Sequence, residues 1–161
     1  MRPWAILMTL ALLAPLLLVG AGLLLNRLPL NDPPGLWPRL RVYLGSNLAE
    51  TRPEHPFPEL RPRSYPLPAP ELHRRVAEAM RRLGWQEIRI DAQTLSVEAV
   101  VATPLFGFRD DLLARVQAEA PGRSRLYLRS ASRVGRGDLG ANSRHLLDLY
   151  QALAPLAASG D

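Results

Sequence analysis

A chain of 161 residues has room for one folded domain, and 20 basic side chains, all Arg, against 15 acidic ones leave a net charge of +5. Without Cys there is no disulfide framework, thiolate metal site or cysteine nucleophile, and His55, His73 and His145 lack the ligand spacing of a zinc site. The all-Arg basic set fits the coding bias of a high-GC bacterium, and the charge permits attraction to anionic lipid or nucleic acid.

The first element is apolar. From Trp4 to Leu25 there are 22 residues without a charge, mostly Leu and Ala. At about 1.5 Å of rise per residue, a helix of that length crosses the roughly 30 Å hydrocarbon core of a bilayer. Trp4 suits an interfacial position, and Pro15, Gly20 and Gly22 are tolerated in a membrane helix. A cleaved signal peptide is the competing reading, with Val19-Gly20-Ala21 as its small-residue site, but its apolar run is ordinarily about 7–15 residues. Residues 1–25 are therefore predicted to be a retained transmembrane anchor. With no Cys after the run, a lipoprotein is excluded. Arg2 and the α-amino group stand against Arg27 and Arg39 across the span, close to balance under the positive-inside rule. The very short N-terminal tail favours a single-pass protein of a bacterial inner membrane, its soluble domain in the periplasm.

Residues 26–62 hold many of the 16 prolines, which block helix interiors and central strands, and are predicted to be a proline-rich linker. Residues 40–44 are its one candidate strand. A compact α+β domain over residues 63–157 follows. Pro70 suits a first helical position, Leu72, Val76, Met80 and Leu83 recur at helical spacing, and Gly84 ends the run. Arg74, Arg75, Arg81 and Arg82 form its solvated side. The period then becomes two. Strands are predicted over 85–91, with Ile88 and Ile90 on one face, and over 94–102, with Leu95, Val97, Ala99 and Val101 together. Two more run over 111–119, with Leu112, Ala114 and Val116 inward, and 124–133, with Leu126 and Leu128 inward. A last helix over 139–157 aligns Leu146, Tyr150 and Leu153. The order α-β-β-β-β-α with short connections predicts a four-stranded antiparallel meander with two helices on one face, preceded by the transmembrane helix.

Positive charge gathers late in the chain. Between residues 123 and 144 six Arg face a single acid, Asp138. Gly135, Gly137 and Gly140 match G-x-G-x-x-G, but a dinucleotide site needs a second parallel strand after the helix, and none follows here. Turns beside a helix N-terminus, ringed by arginines, make a candidate anion-binding loop of Arg129, Arg133, Gly135, Arg136, Gly137, Asp138 and Asn142. The competing reading is a structural corner in which Asp138 caps the helix and pairs with Arg133 or Arg136. Ser132, His145 and Asp138 can be written as a hydrolytic triad, but no nucleophile elbow or oxyanion hole accompanies them. Asp110 and Asp111, adjacent in a strand, point to opposite faces and are not a shared-proton pair; they serve as edge charges or reach the arginine loop. Phe106 and Phe108 read as core or loop anchors. The functional expectation is a membrane-anchored binding or interaction module, its basic Gly/Arg loop facing an anionic ligand, a lipid headgroup or an acidic protein partner. The alternative is a hydrolase or transferase using Asp138, Asp110 or Ser132. No cofactor and no metal are expected, and nucleic acid is disfavoured because Tyr127 alone interleaves with the basic residues.

Two blocks, Thr103-Pro-Leu-Phe-Gly-Phe-Arg-Asp-Asp111 and Arg129-Ser-Ala-Ser-Arg-Val-Gly-Arg-Gly-Asp-Leu-Gly-Ala-Asn142, resemble the most recognisable segments of the domain of unknown function 1499 family. The resemblance extends over about residues 63–154. It implies a bacterial or plastid setting behind a signal or membrane segment, and no particular reaction. Members often carry an Asn-Cys-Val-Ser-Ser-like stretch where this chain has Asn47-Leu-Ala-Glu-Thr51, so any role of that cysteine is missing here.

Overall fold

The computed structural model describes residues 3–103 and 107–157. Period-two patterning becomes four long strands, β3 (Gln86–Asp91), β4 (Ser96–Ala102), β5 (Arg109–Ala120) and β6 (Arg123–Ser132), paired antiparallel in chain order. Registers such as Val97↔Ala114↔Leu128 and Ala99↔Leu112↔Ser130 align the apolar positions on one face. Two helices numbered α3 (Ala69–Arg82) and α4 (Ala141–Ala152) cover that face, burying Leu72, Val76 and Met80 from one and Leu146, Leu149 and Tyr150 from the other. The α+β class and the meander under two helices agree with expectation.

The sheet has six strands, however, rather than four. Strands β1 (Leu48–Glu50) and β2 (Arg63–Tyr65) both pair antiparallel with β6, β1 against Ala131, Ser130 and Arg129 and β2 against Leu126, Arg125 and Ser124. They cover the edge that β6 would otherwise leave unpaired. Three-residue strands carry too little alternation to be read from sequence.

Residues 26–62 are accordingly part of the fold and not a tether. Where a strand was expected at 40–44, helix α2 (Leu36–Gly45) forms; Pro38 falls in its first turn, where no intrahelical N–H is needed. Its buried residues are Arg39 and Tyr43, one turn apart. Arg39 is fully buried and saturated: Nε donates to the Asp32 carbonyl at 3.0 Å, Nη2 to the Pro33 carbonyl at 2.7 Å, and Nη1 to the Tyr43 hydroxyl at 3.2 Å. Its two terminal nitrogens also hold Glu59 at 2.5 and 3.0 Å, and the guanidinium stacks 4.4 Å from the Phe57 ring centroid. Phe57 and Leu60, around the 3-10 turn Pro58–Leu60, complete the core on this side.

Smaller departures have local causes. A bulge lies between Gln86 and Arg89, with Glu87 at φ 50°, and Ile90, opposite Val97 on the edge strand, stays 47% exposed. Leu95 at φ 50° belongs to the β3–β4 turn. The last helix breaks at Leu153, leaving a separate turn, α5 (Ala154–Ala157). Phe106 lies outside the described residues.

The N-terminal run forms one helix, α1 (Pro3–Leu25). Among the described residues no helix is long and apolar enough to cross a membrane, so the expected transmembrane helix is not found. The base of α1 is fastened to the domain. Leu23 packs on the core, as do Leu28 and Leu30 just beyond the helix, and Asn26 Nδ2 donates to the Leu139 carbonyl at 2.9 Å. Leu139 lies against Gly22.

Candidate functional site

The expected anion loop is divided by the sheet. Along β6 and the residue that follows it, Arg129 and Arg133 alternate with Ser130 and Ser132, so the arginines occupy the open face and the serines the helix-covered face. Arg133 donates from Nε and Nη2 to Asp111, at 2.7–3.1 Å, and this pair holds the Asp111 carboxyl below its usual range. Asp111 is therefore the acid that reaches the arginines.

Asp138 works on the other side. Its carboxylate accepts the backbone N–H of Gly140 at 2.8 Å, that of Asn142 at 3.0 Å, and Asn142 Nδ2 at 2.6 Å. These bonds cap the start of α4 and occupy N–H groups that an anion would need. Burial pushes the Asp138 carboxyl up, opposed by the same donors. Asn142, fully buried, extends the network: Nδ2 also donates to the Asn47 carbonyl at 2.9 Å and Ser132 Oγ at 2.8 Å, while Oδ1 accepts from Ser130 Oγ at 2.6 Å. Asp138 pairs with neither Arg133 nor Arg136; among the described residues Arg136 has no ion-pair partner, and it is exposed.

Two glycines make the corner possible. A Cβ at Gly137 would strike the Leu44 carbonyl, and Gly140 holds φ +82° with Leu28 and Tyr43 packed where a side chain would be. Gly135 accepts a bond from Asn47 Nδ2 at 2.7 Å. The loop thereby fastens the β6–α4 connection to α2 and β1, and sits at the base of α1.

A second constellation, not read from the sequence, lies nearby. Asp110 is fully buried on the helix-covered face, in register with Val101 and Ser132. Its Oδ2 accepts the N–H of His145 Nε2 from α4 at 2.9 Å, and its Oδ1 has no partner among the described residues. An acid at an inward position of the alternation Asp110, Leu112, Ala114, Val116 was the available signal, since a buried carboxylate needs a partner. His145 lines a cleft of about 640 Å³ between the base of α1, the α3–β3 turn, the end of β4 and α4. Trp85 packs edge-on to His145, ring centroids 6.4 Å apart, and Arg144 pairs with Asp148 on the same wall. With Nε2–H donated to Asp110, Nδ1 has no hydrogen-bond partner among the described residues and is available to a ligand or to proton transfer.

The fold and the corner define an α+β protein built on one antiparallel sheet, with a half-open cleft against its N-terminal helix. The chain belongs to the family "Protein of unknown function (DUF1499)", whose model matches residues 40–153. That match begins inside α2, consistent with residues 40–62 being part of the domain. No curated protein matches the chain. Among solved structures it is similar to the di-domain ARO/CYC BexL from the BE-7585A biosynthetic pathway, at 16% identity and a TM-score of 0.47. That similarity covers 69% of this chain and 45% of the other, so the chain spans less than half of the protein it matches.

Proposed function

We propose that this protein is a membrane-anchored binding module that works at the surface of a bacterial inner membrane, facing the periplasm. The supporting observation is the way α1 meets the domain. Its base is pinned by Asn26 and Leu139, while Leu12, Leu16 and Leu17 above it are 71%, 68% and 70% exposed. An uncovered apolar helix of this kind calls for an apolar partner, and a lipid surface supplies one. The Gly/Arg corner and the cleft both adjoin that base, which brings Arg136 and the cleft to the level of the lipid headgroups.

The test uses the full chain. Alkaline phosphatase and, separately, a cytoplasmic fluorescent reporter are fused after Asp161, and the unfused protein is floated with lipid vesicles. Phosphatase activity with flotation is expected; a soluble protein, or fluorescence without phosphatase activity, refutes the proposal.

One observation favours the alternative of a hydrolase or transferase. Asp110 orients an imidazole at the wall of a cleft, which is the base–orienter half of an acid–base site. Ser132 and Asp138, the other residues of that alternative, are taken up by Asn142.

A further inference from the structure

The lining of the cleft divides by chemistry. Leu24 and Leu25 of α1 and Val100 and Val101 of β4 are apolar, whereas Arg27 and His145 are polar. Arg144 is neutralised by Asp148, whereas Arg27 has no ion-pair partner among the described residues. Asp110 takes His145 Nε2–H, which leaves Nδ1, without a partner among the described residues, as the acceptor of a ring that lines the cleft. A volume of about 640 Å³ lies within the range of small-molecule sites.

From this lining we infer that the cleft binds an amphiphile with one acyl chain and a head bearing both a negative charge and a hydroxyl group. The chain lies along Leu24, Leu25, Val100 and Val101, and the anion pairs with Arg27. The hydroxyl donates its proton in a hydrogen bond to His145 Nδ1. The inference rests on the membrane reading for the ligand's source: two leucines at the base of α1 form part of the wall, so a lipid can pass from the bilayer into the cleft without crossing open water.

The full chain in phosphatidylcholine nanodiscs, with Trp4→Phe and Trp37→Phe so that Trp85 is the remaining tryptophan, is titrated with three probes brominated on the chain. Lysophosphatidate carries the chain, charge and hydroxyl; a fatty acid lacks the hydroxyl; a monoacylglycerol lacks the charge. Saturable quenching of Trp85 is expected, strongest for lysophosphatidate by about tenfold, since each missing polar contact to a charged or oriented partner is worth roughly that factor. Arg27→Ala abolishes the preference over monoacylglycerol, His145→Gln the preference over fatty acid, and Ala102→Phe, filling the cleft from β4, removes quenching while circular dichroism stays unchanged. Equal quenching by the three probes, no saturation, or quenching that survives Ala102→Phe overturns the inference. Vesicle flotation is scored separately. Ranked quenching without flotation defeats the anchor alone, and flotation with flat quenching defeats the cleft.

Discussion

Replacing Asp138 with Ala separates a structural corner from an anion site. The carboxylate accepts three N–H groups, and Asn142 Nδ2 keeps two other acceptors when it is removed. The loss is therefore the cap on Gly140 and Asn142. A lost cap costs about 0.5–2 kcal/mol and a buried N–H left without an acceptor about 1–3 kcal/mol, offset by relief of the buried charge, so the expected net cost at pH 7 is about 2 kcal/mol. For a chain of this size that lowers Tm by about 4–8 °C. Arg136→Ala, at an exposed side chain, changes stability by less than about 0.5 kcal/mol. The pH dependence supplies a second reading. Burial raises the folded-state pKa of Asp138, so the folded state holds its proton more tightly than the unfolded chain, and the group destabilises as pH rises through the carboxylate range. The gap between wild type and Asp138→Ala should accordingly widen as pH falls from 7 toward 4. Thermal melts of the full chain in detergent, with and without tens of millimolar phosphate at matched ionic strength, measure all of this. An Asp138→Ala protein as stable as wild type, a gap that narrows on acidification, or a phosphate shift lost in Arg136→Ala would refute the corner.

Arg39→Ala leaves Glu59 and the Tyr43 hydroxyl without their partner inside the core, and should cost about 3–5 kcal/mol, with proteolytic cleavage appearing first between residues 26 and 62; unchanged protease resistance would count against the packing of α2. A fragment of residues 63–157, deprived of β1, Tyr43, Phe57 and Leu60, should give a broad, non-cooperative melt by circular dichroism, whereas residues 26–157 melt cooperatively. Asp111→Asn should cost about 0.2–1 kcal/mol at pH 7, because the pair with Arg133 is exposed. The Asp111 pKa is depressed, so this contribution is present above the unfolded-state value and disappears as pH falls through the folded one; denaturant titrations at pH 7 and pH 3 check it.

What the sequence revealed follows the range over which each signal acts. The stripe Leu72, Val76, Met80 and the alternations of β4 to β6 repeat several times within one element, so the pattern identifies both the element and its buried face. Helix α2 is ten residues long with a proline, and its inward pair begins with Arg39. An arginine reads as solvent-facing until Glu59, twenty residues later, is known to meet it. Strands β1 and β2 are held by β6 and not by their own composition.

The same distinction explains the two candidate sites. Glycines and arginines between 129 and 142 are adjacent in sequence, and adjacency suggested a single pocket. A strand sends neighbours to opposite faces, so Arg129 and Arg133 went to the open side while Asp138 and Asn142 closed on Ser130 and Ser132. His145 and Asp110 are 35 residues apart, and nothing local links them. Asp110 nevertheless carried a mark that Asp111 did not: it occupied a position where strand β5 otherwise places Leu112, Ala114 and Val116. A carboxylate that replaces a core side chain incurs a desolvation cost unless a donor meets it, and in a chain without Lys the available donors are Arg, His and neutral polar groups. Asking which residue on a covering helix could reach Asp110 narrows the search to α3 and α4, where His73 bonds the Ser96 carbonyl and His145 remains. The charged residue that interrupts an apolar alternation therefore pointed toward the cleft more directly than the glycine motif did.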